Sequence, residues 1–207
     1  MPQETALVSG AAGFIGSHLA ERLLHENFNV IGLDSFTDYY AREVKENNVR
    51  AARAHPHFTF VEADLRTADL RALITRHNIR YIFHLAGQAG VRPSWGSDFQ
   101  PYVERNILAT QALLEAVVNL PQESQIEKFV FAGSSSVYGD AERFPTSEDD
   151  LPRPLSPYGV TKLAAEHLCF LYAKQFGLPV VALRYFSVYG PRQRPDMWIH
   201  VFMDALL

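Results

Sequence analysis

Tyr158 and Lys162 stand four residues apart, a spacing that on a helix puts both side chains on one face. A phenol titrates near 10, so a phenolate base at neutrality needs about three units of depression, roughly 4 kcal/mol. A neighbouring ammonium supplies part of that by stabilising the charged form. Ser156-Pro157 reads as an N-cap and a first helical residue. Tyr158 then falls in the first turn, where the helix dipole favours negative charge. Gly133-Ser134-Ser135-Ser136 adds a hydroxyl that both donates and accepts, suited to hold an oxygen whose proton Tyr158 removes. Together these residue types suit hydride transfer at a carbon bearing a hydroxyl. Singly, each also reads as a solvated helix face or a polar strand end. A serine hydrolase is disfavoured, because Gly-x-Ser-x-Gly is absent.

A hydride chemistry needs a dinucleotide, and the N-terminal segment offers a loop for one. Ser9-Gly10-Ala11-Ala12-Gly13-Phe14-Ile15-Gly16 follows the first apolar run and opens a helical pattern. Gly10 permits the tight turn, Gly13 lets backbone approach a pyrophosphate, and Gly16 allows close packing of helix on sheet. The diphosphate would sit on unpaired N–H groups at the positive end of the helix. Asp34 comes 24 residues after Gly10, where an acid bonds the adenosine ribose hydroxyls. A carboxylate there repels a 2′-phosphate, which favours NAD over NADP. A structural glycine turn and a loop-capping acid are the plainer alternatives. Asp64-Leu65 and Leu85-Ala86-Gly87-Gln88 end later strands. They read as walls of the same site or as ordinary strand-to-helix turns.

The elements that must position these residues alternate along the chain. Strands are predicted at Ala6–Ser9, Asn29–Leu33, Phe58–Glu62, Tyr81–Leu85, Lys128–Ala132 and Val180–Arg184. Helices are predicted at Ile15–His25, Tyr40–Ala54, Ala68–His77, Tyr102–Asn119 and Pro157–Phe176. The alternation predicts an α/β fold, a Rossmann-like doubly wound parallel sheet with helices on both faces. Gly177 followed by Leu178-Pro179 should stop the last of these helices. The proline- and acid-rich segment 140–156 reads as a surface loop. Residues 199–207 read as a helix without a closing cap, so the C-terminal substrate domain is expected to be largely absent. The expected division is 1–190 for the NAD-binding domain and 191–207 for the start of the second.

Composition narrows the partners. The net charge is −4 and charged residues make up 20%, which disfavours a basic nucleic-acid footprint. Apolar runs such as 178–183 are too short for a bilayer, and Met1-Pro2-Gln3-Glu4-Thr5 lacks the apolar core of a secretory signal. The lone Cys169 excludes an internal disulfide and reads as a small core residue. A cytoplasmic location is the expectation, with no membrane and no nucleic acid as partner. No metal site is expected; His84, at a strand end, reads as packed or hydrogen-bonded. Arg192 and Arg194 suit bidentate contact with a diphosphate and equally suit solvated loop positions.

With these pieces assembled, the chain resembles the extended short-chain dehydrogenase/reductase superfamily, within it the NAD-dependent nucleotide-sugar epimerases and dehydratases. The resemblance rests on 9–16, Asp34, Asp64-Leu65, 84–92, 134–139, 158–162 and 184–197. It implies NAD contacts from Gly10, Gly13, Phe14, Ile15, Gly16, Asp34, Asp64, Leu65, Leu85, Ala86, Gly87, Gln88, Asn106, Tyr158, Lys162 and Phe186. It implies catalysis by Ser134, Tyr158 and Lys162, with Ser134, Ser136, Ser187 and Arg192 on the substrate. The dehydratases carry an Asp-Glu pair where this chain has Ser135 and Ser136, and the decarboxylases a Glu at Ser136. That leaves 4-epimerisation through a transient 4-keto sugar. The segments 34–40 and 189–197 are most similar to UDP-glucuronate 4-epimerases, with UDP-glucose/galactose epimerases next. A homodimer built on Tyr102–Asn119 and Pro157–Phe176 is also implied. Dehydratase or decarboxylase activity, a simple dehydrogenase and a truncated, non-catalytic NAD-binding module remain the alternatives.

Overall fold

Alternate residues of the first strand, β1 (Thr5–Ser9), face two different cores. Ala6 and Val8 join Ala20, Leu23, Leu24, Val30 and Phe58, whereas Leu7 joins Ile31, Leu33, Ile82, Leu113, Phe129 and Phe131. A strand buried on both faces needs helices on both faces. In this computed structural model, which describes residues 3–121, 124–141 and 143–206, that is the arrangement. Six strands form one wholly parallel sheet in the order β3-β2-β1-β4-β5-β6. They are β1, β2 (Asn29–Asp34), β3 (Phe58–Glu62), β4 (Ile79–His84), β5 (Lys128–Ser134) and β6 (Val180–Tyr185). Helices α1 (Phe14–His25) and α2 (Arg42–Arg53) cover one face. Helices α3 (Leu70–Arg76), α5 (Ala109–Val118) and α6 (Pro157–Phe176) cover the other.

Local chemistry sets the boundaries. Ser156 Oγ accepts the Gly159 N–H at 3.1 Å, Pro157 takes the first helical position, and Gly177 closes α6 at φ +70°. Asp69 caps α3 through the Ala72 N–H, so that helix starts later than its apolar pattern suggests. Helix α2 likewise begins later than its pattern suggests, at Arg42, after a turn whose Thr37 carbonyl accepts from Lys45. The expected helix 102–119 is not uniform. A turn, α4 (Gln100–Tyr102), leads into a π-helical stretch, Val103–Leu108, before α5. Short 3₁₀ turns at Arg92–Ser94 and Gly96–Phe99 precede it. The terminal helix α7 (Trp198–Leu206) matches the reading of 199–207 except for Leu207, which lies outside the described residues, as do Met1 and Pro2.

Candidate functional site

Six strand ends, at Ser9, Asp34, Glu62, His84, Ser134 and Tyr185, share one edge of the sheet. Parallel sheets bind ligands at such an edge, where the strand order reverses. Here β1 leaves the edge at Gly10, whose φ of +73° brings it against the backbone of Leu85 and Ala86. Its N–H donates to the Leu33 carbonyl at 2.8 Å, tying the turn to β2. Gly16 lies so close beneath that a Cβ on it would stand 2.1 Å from the Gly10 carbonyl oxygen.

A cleft of about 1080 Å³, its solvent-open mouth included, runs over this turn. Of the sixteen residues assigned to a dinucleotide, Gly10, Gly13, Phe14, Ile15, Gly16, Asp34, Asp64, Leu65 and Leu85 through Gln88 line it. Asp34 accepts the Ala12 N–H at 3.0 Å on Oδ2 and the Phe36 N–H at 2.9 Å on Oδ1. It therefore caps the loops, yet each oxygen retains a further accepting direction toward the cleft. Burial pushes its carboxyl up, while those N–H groups and Lys45 act the other way. Asp64 is held low by its hydrogen bond with Arg66.

The wall beyond β4 is built by Asn106. Its Oδ1 accepts the Gln88 N–H at 2.7 Å, and its Nδ2 donates to the Gln88 carbonyl at 3.1 Å and to Thr161 at 3.0 Å. Asn106 lies in the π-helical stretch, a distortion that frequently marks functional positions. Its own carbonyl accepts the Thr110 hydroxyl at 2.6 Å. Thr110 has spent its one proton, so it must accept from His84 Nε2 at 2.9 Å. His84 Nδ1 then accepts from Ser9 Oγ at 2.7 Å, and Ser9 Oγ accepts the Ala86 N–H at 3.3 Å. One directed chain thus joins β1, β4 and the π-helix beneath the cleft.

That chain needs His84 neutral. Burial, with Lys162 nearby, pushes the imidazole down to about 3, against about 6.5 in an unfolded chain. The folded protein binds fewer protons between those values. Its stability should be full above pH 6.5 and fall as the pH drops, by up to about 1.4 kcal/mol per unit. Denaturant titrations from about pH 7.5 to about 4.5 check this; an unchanged slope in His84→Gln would refute the assignment.

Ser134, Tyr158 and Lys162 are not among the residues that line the cleft: α6 carries Tyr158 and Lys162 beside the end of β5, where Ser134 sits, and Lys162 Nζ reaches the cleft's edge at Gly87. Tyr158 packs edge-on against Tyr102, ring centroids 6.2 Å apart. Burial pushes its phenol up, and hydrogen bonding from Ser134 and the charge of Arg194 pull it back. Lys162 is buried and pushed down to about 8, so it keeps its proton at neutral pH. The depression required of a phenolate base is therefore larger than a solvated tyrosine would need. Ser134 Oγ also accepts the Ser136 N–H at 3.1 Å, which fixes the turn carrying Ser136. Phe186 stacks on Tyr138, with centroids 6.4 Å apart, and is 62% exposed at the end of β6 beside exposed Ser187.

Arg192 does not face the cleft. It donates to Glu21 at 2.9 Å and to the Asn48 carbonyl at 3.4 Å, anchoring its loop to α1 and α2. Arg194, two residues on, lines the cleft instead and is held by Asp196 at 2.9 and 3.0 Å. Tyr39 donates to the same carboxylate at 3.0 Å. Tyr39, Tyr40, Lys45 and Arg105 also line the cleft; Tyr39 and Tyr40 fall in the segment 34–40 that carries the resemblance, whereas Lys45 and Arg105 were not singled out from sequence. Lys45 was signalled by its place on the apolar face of α2, in register with Val49 and Ala52. Among the described residues no group of three or more His, Cys, Asp or Glu could hold a metal. Among the described residues, no helix is long and apolar enough to cross a membrane either.

Strand order, glycine turn and cleft define a Rossmann-type dinucleotide-binding fold. The chain belongs to the NAD dependent epimerase/dehydratase family, which it matches over residues 6–206. It is 51% identical over 195 residues to the uncharacterized UDP-glucose epimerase YtcB of Bacillus subtilis, covering 94% of this chain and 60% of that one. It is 38% identical to a UDP-glucuronate 4-epimerase of Thermodesulfobacterium geofontis, covering 95% of this chain and 60% of the relative. Among solved structures, UDP-glucuronic acid 4-epimerase from Bacillus cereus, in complex with UDP-glucuronic acid and NAD, superposes with a TM-score of 0.92. That pair is 47% identical, covering 98% of this chain and 62% of the other. The chain thus spans about 60% of the length of the relatives it matches.

Proposed function

We propose that this chain carries the NAD-binding and catalytic portion of a UDP-sugar 4-epimerase, acting on UDP-glucuronate first and on UDP-glucose/galactose next. The observation that carries the reading is the hydrogen bonding of Ser134 to Tyr158, with Lys162 one turn further along α6 at the Gly87 edge of the cleft floored by the glycine turn. Twelve of the sixteen assigned residues line the cleft, which supports their role in holding NAD. The Bacillus cereus enzyme with its two ligands supports both cofactor and sugar. When bound, NAD supplies a hydride acceptor and donor at C4 of the sugar and, oxidised, further positive charge beside the phenol.

The chain's own residues do the rest. Ser134 orients the C4 hydroxyl, Tyr158 takes its proton, and Lys162 stabilises the phenolate and holds the nicotinamide ribose. Arg194 offers positive charge to anionic parts of the substrate. Ser135 and Ser136 lack the acid that dehydration would need at the sugar's C6. In this reading residues 1–190 form the NAD-binding domain and 191–207 lead into a substrate-binding portion. The reading includes a homodimer on the long helices, supported by exposed Leu108, Val160, Phe170 and Leu171. It extends to a cytoplasmic site of action, consistent with a lone, free and buried Cys169.

Proton NMR of the chain with NAD and a panel of UDP-sugars tests the reading. A C4-epimerised product without net NADH is expected. Accumulating NADH would indicate a dehydrogenase, and binding without product a non-catalytic module.

A further inference from the structure

Glu166 lies one helical turn beyond Lys162 on α6, on the same face as Tyr158 and Lys162. It is 3% exposed and packs against the end of β5 at Gly133. A buried carboxylate so near a buried ammonium would ordinarily capture it, because Coulomb attraction is strong in a low-dielectric interior. It does not. Arg184, reaching across from β6, donates from Nε at 3.2 and 3.1 Å to its two oxygens and from Nη2 at 2.6 Å to Oε1. Arg184 is itself fixed: Nη1 donates to the Glu148 carbonyl at 3.2 Å, and the guanidinium lies 4.8 Å from the Tyr138 ring centroid. Lys162 Nζ, by contrast, donates to no group among the described residues. It stands 4.8 Å from the Phe131 ring centroid, at the Gly87 edge of the cleft.

We propose that Arg184 is a positioning residue that occupies Glu166 and so keeps Lys162 at the Gly87 edge of the cofactor cleft, one helical turn from Tyr158. The inference rests on the reading of Tyr158 and Lys162 given under Proposed function. The other groups facing Lys162 do not compete for it. Cys169, on the same helix, is pushed up to about 12, and His84, from β4, down to about 3, so both are neutral near pH 7. Tyr158 in turn faces Ser134, Tyr102 and Arg194. With Arg184 gone, the nearest cation left to Glu166 is Lys162, and a buried charge that loses its partner is strongly driven to find another.

The test titrates Tyr158 in the NAD-saturated chain by ultraviolet tyrosinate difference absorbance, with the Tyr158→Phe chain subtracted to remove the other tyrosines. Arg184→Met should raise the apparent pKa of Tyr158 by about one unit, a tenfold loss of phenolate below that pKa. Adding Glu166→Gln to it should return the value to that of the unaltered chain. A mere loosening of the fold would shift single and double variants alike. An unchanged value in Arg184→Met, or a rise that Glu166→Gln does not reverse, overturns the proposal. If Arg184→Met does not fold, Glu166→Gln alone decides: a value at or below the native one supports the proposal, and a rise overturns it. The titration needs no turnover, so failure of the epimerase reading would show separately, as absence of product in the unaltered chain.

Discussion

Tyr158→Phe is expected to lower 4-epimerase turnover by about 10²- to 10⁴-fold, the range typical of losing a positioned acid–base group, while NAD affinity changes by less than about twofold. Only the hydroxyl is lost. The phenyl ring still fills the space against Tyr102, and Lys162 stays in its buried place on the next turn of α6. The glycine turn, Asp34 and the Asn106-clamped wall lie elsewhere along the cleft and are untouched. The cost therefore falls on chemistry and not on cofactor binding. Turnover by proton NMR and NAD binding by calorimetry separate the two. Turnover above a tenth of the native rate would remove Tyr158 from the role of base. A parallel loss of NAD affinity would make it a structural residue.

The sheet was legible because its strands are short, apolar and β-branched between turn residues, and even the partly exposed edge strands β3 and β6 keep apolar residues such as Val181 and Leu183 at exposed positions. The cap of α6 was equally plain: Ser156, Pro157 and Gly177 each do locally what their chemistry allows. The π-helical stretch was not, because it changes the hydrogen-bond partner of a few residues without altering the apolar pattern. What it accomplishes, turning Asn106 toward Gln88 with Thr110 and His84 behind it, depends on residues distant in sequence. The choice between Arg192 and Arg194 was also out of reach. Their loop is shaped by positive φ at Gly190 and at Arg192 itself, so neither helical nor strand periodicity says which side chain points inward. The Glu166–Arg184 pair joins α6 to β6, and only the packed sheet brings those two elements together.

Gly16→Ala carries the second large effect, expected to weaken NAD binding by at least about 100-fold, near 2.7 kcal/mol. The added Cβ would stand 2.1 Å from the Gly10 carbonyl oxygen, 2.8 Å from its carbon and 3.1 Å from the Ala11 Cα. All three are backbone atoms, so no side chain can swing aside to make room. Either the turn opens or the start of α1 withdraws, and both move the N–H groups expected to meet a diphosphate. The turn cannot open freely, since the Gly10 and Ala11 N–H groups hold the Leu33 carbonyl at 2.8 and 3.2 Å. Strain of this kind typically costs about 1–3 kcal/mol of stability. Stability loss alone is not the claim, and Gly177→Ala supplies the contrast. Gly177 has φ +70° but nothing within 4 Å of an added Cβ, so alanine there should cost about 1 kcal/mol in stability and leave NAD affinity unchanged. Thermal melts with and without NAD read both quantities. Gly16→Ala should lose the upward shift that NAD gives, whereas Gly177→Ala should keep it from a lower starting point. If Gly16→Ala instead binds NAD within about tenfold of the native chain, the close contact beneath Gly10 does not set the geometry of the cofactor turn.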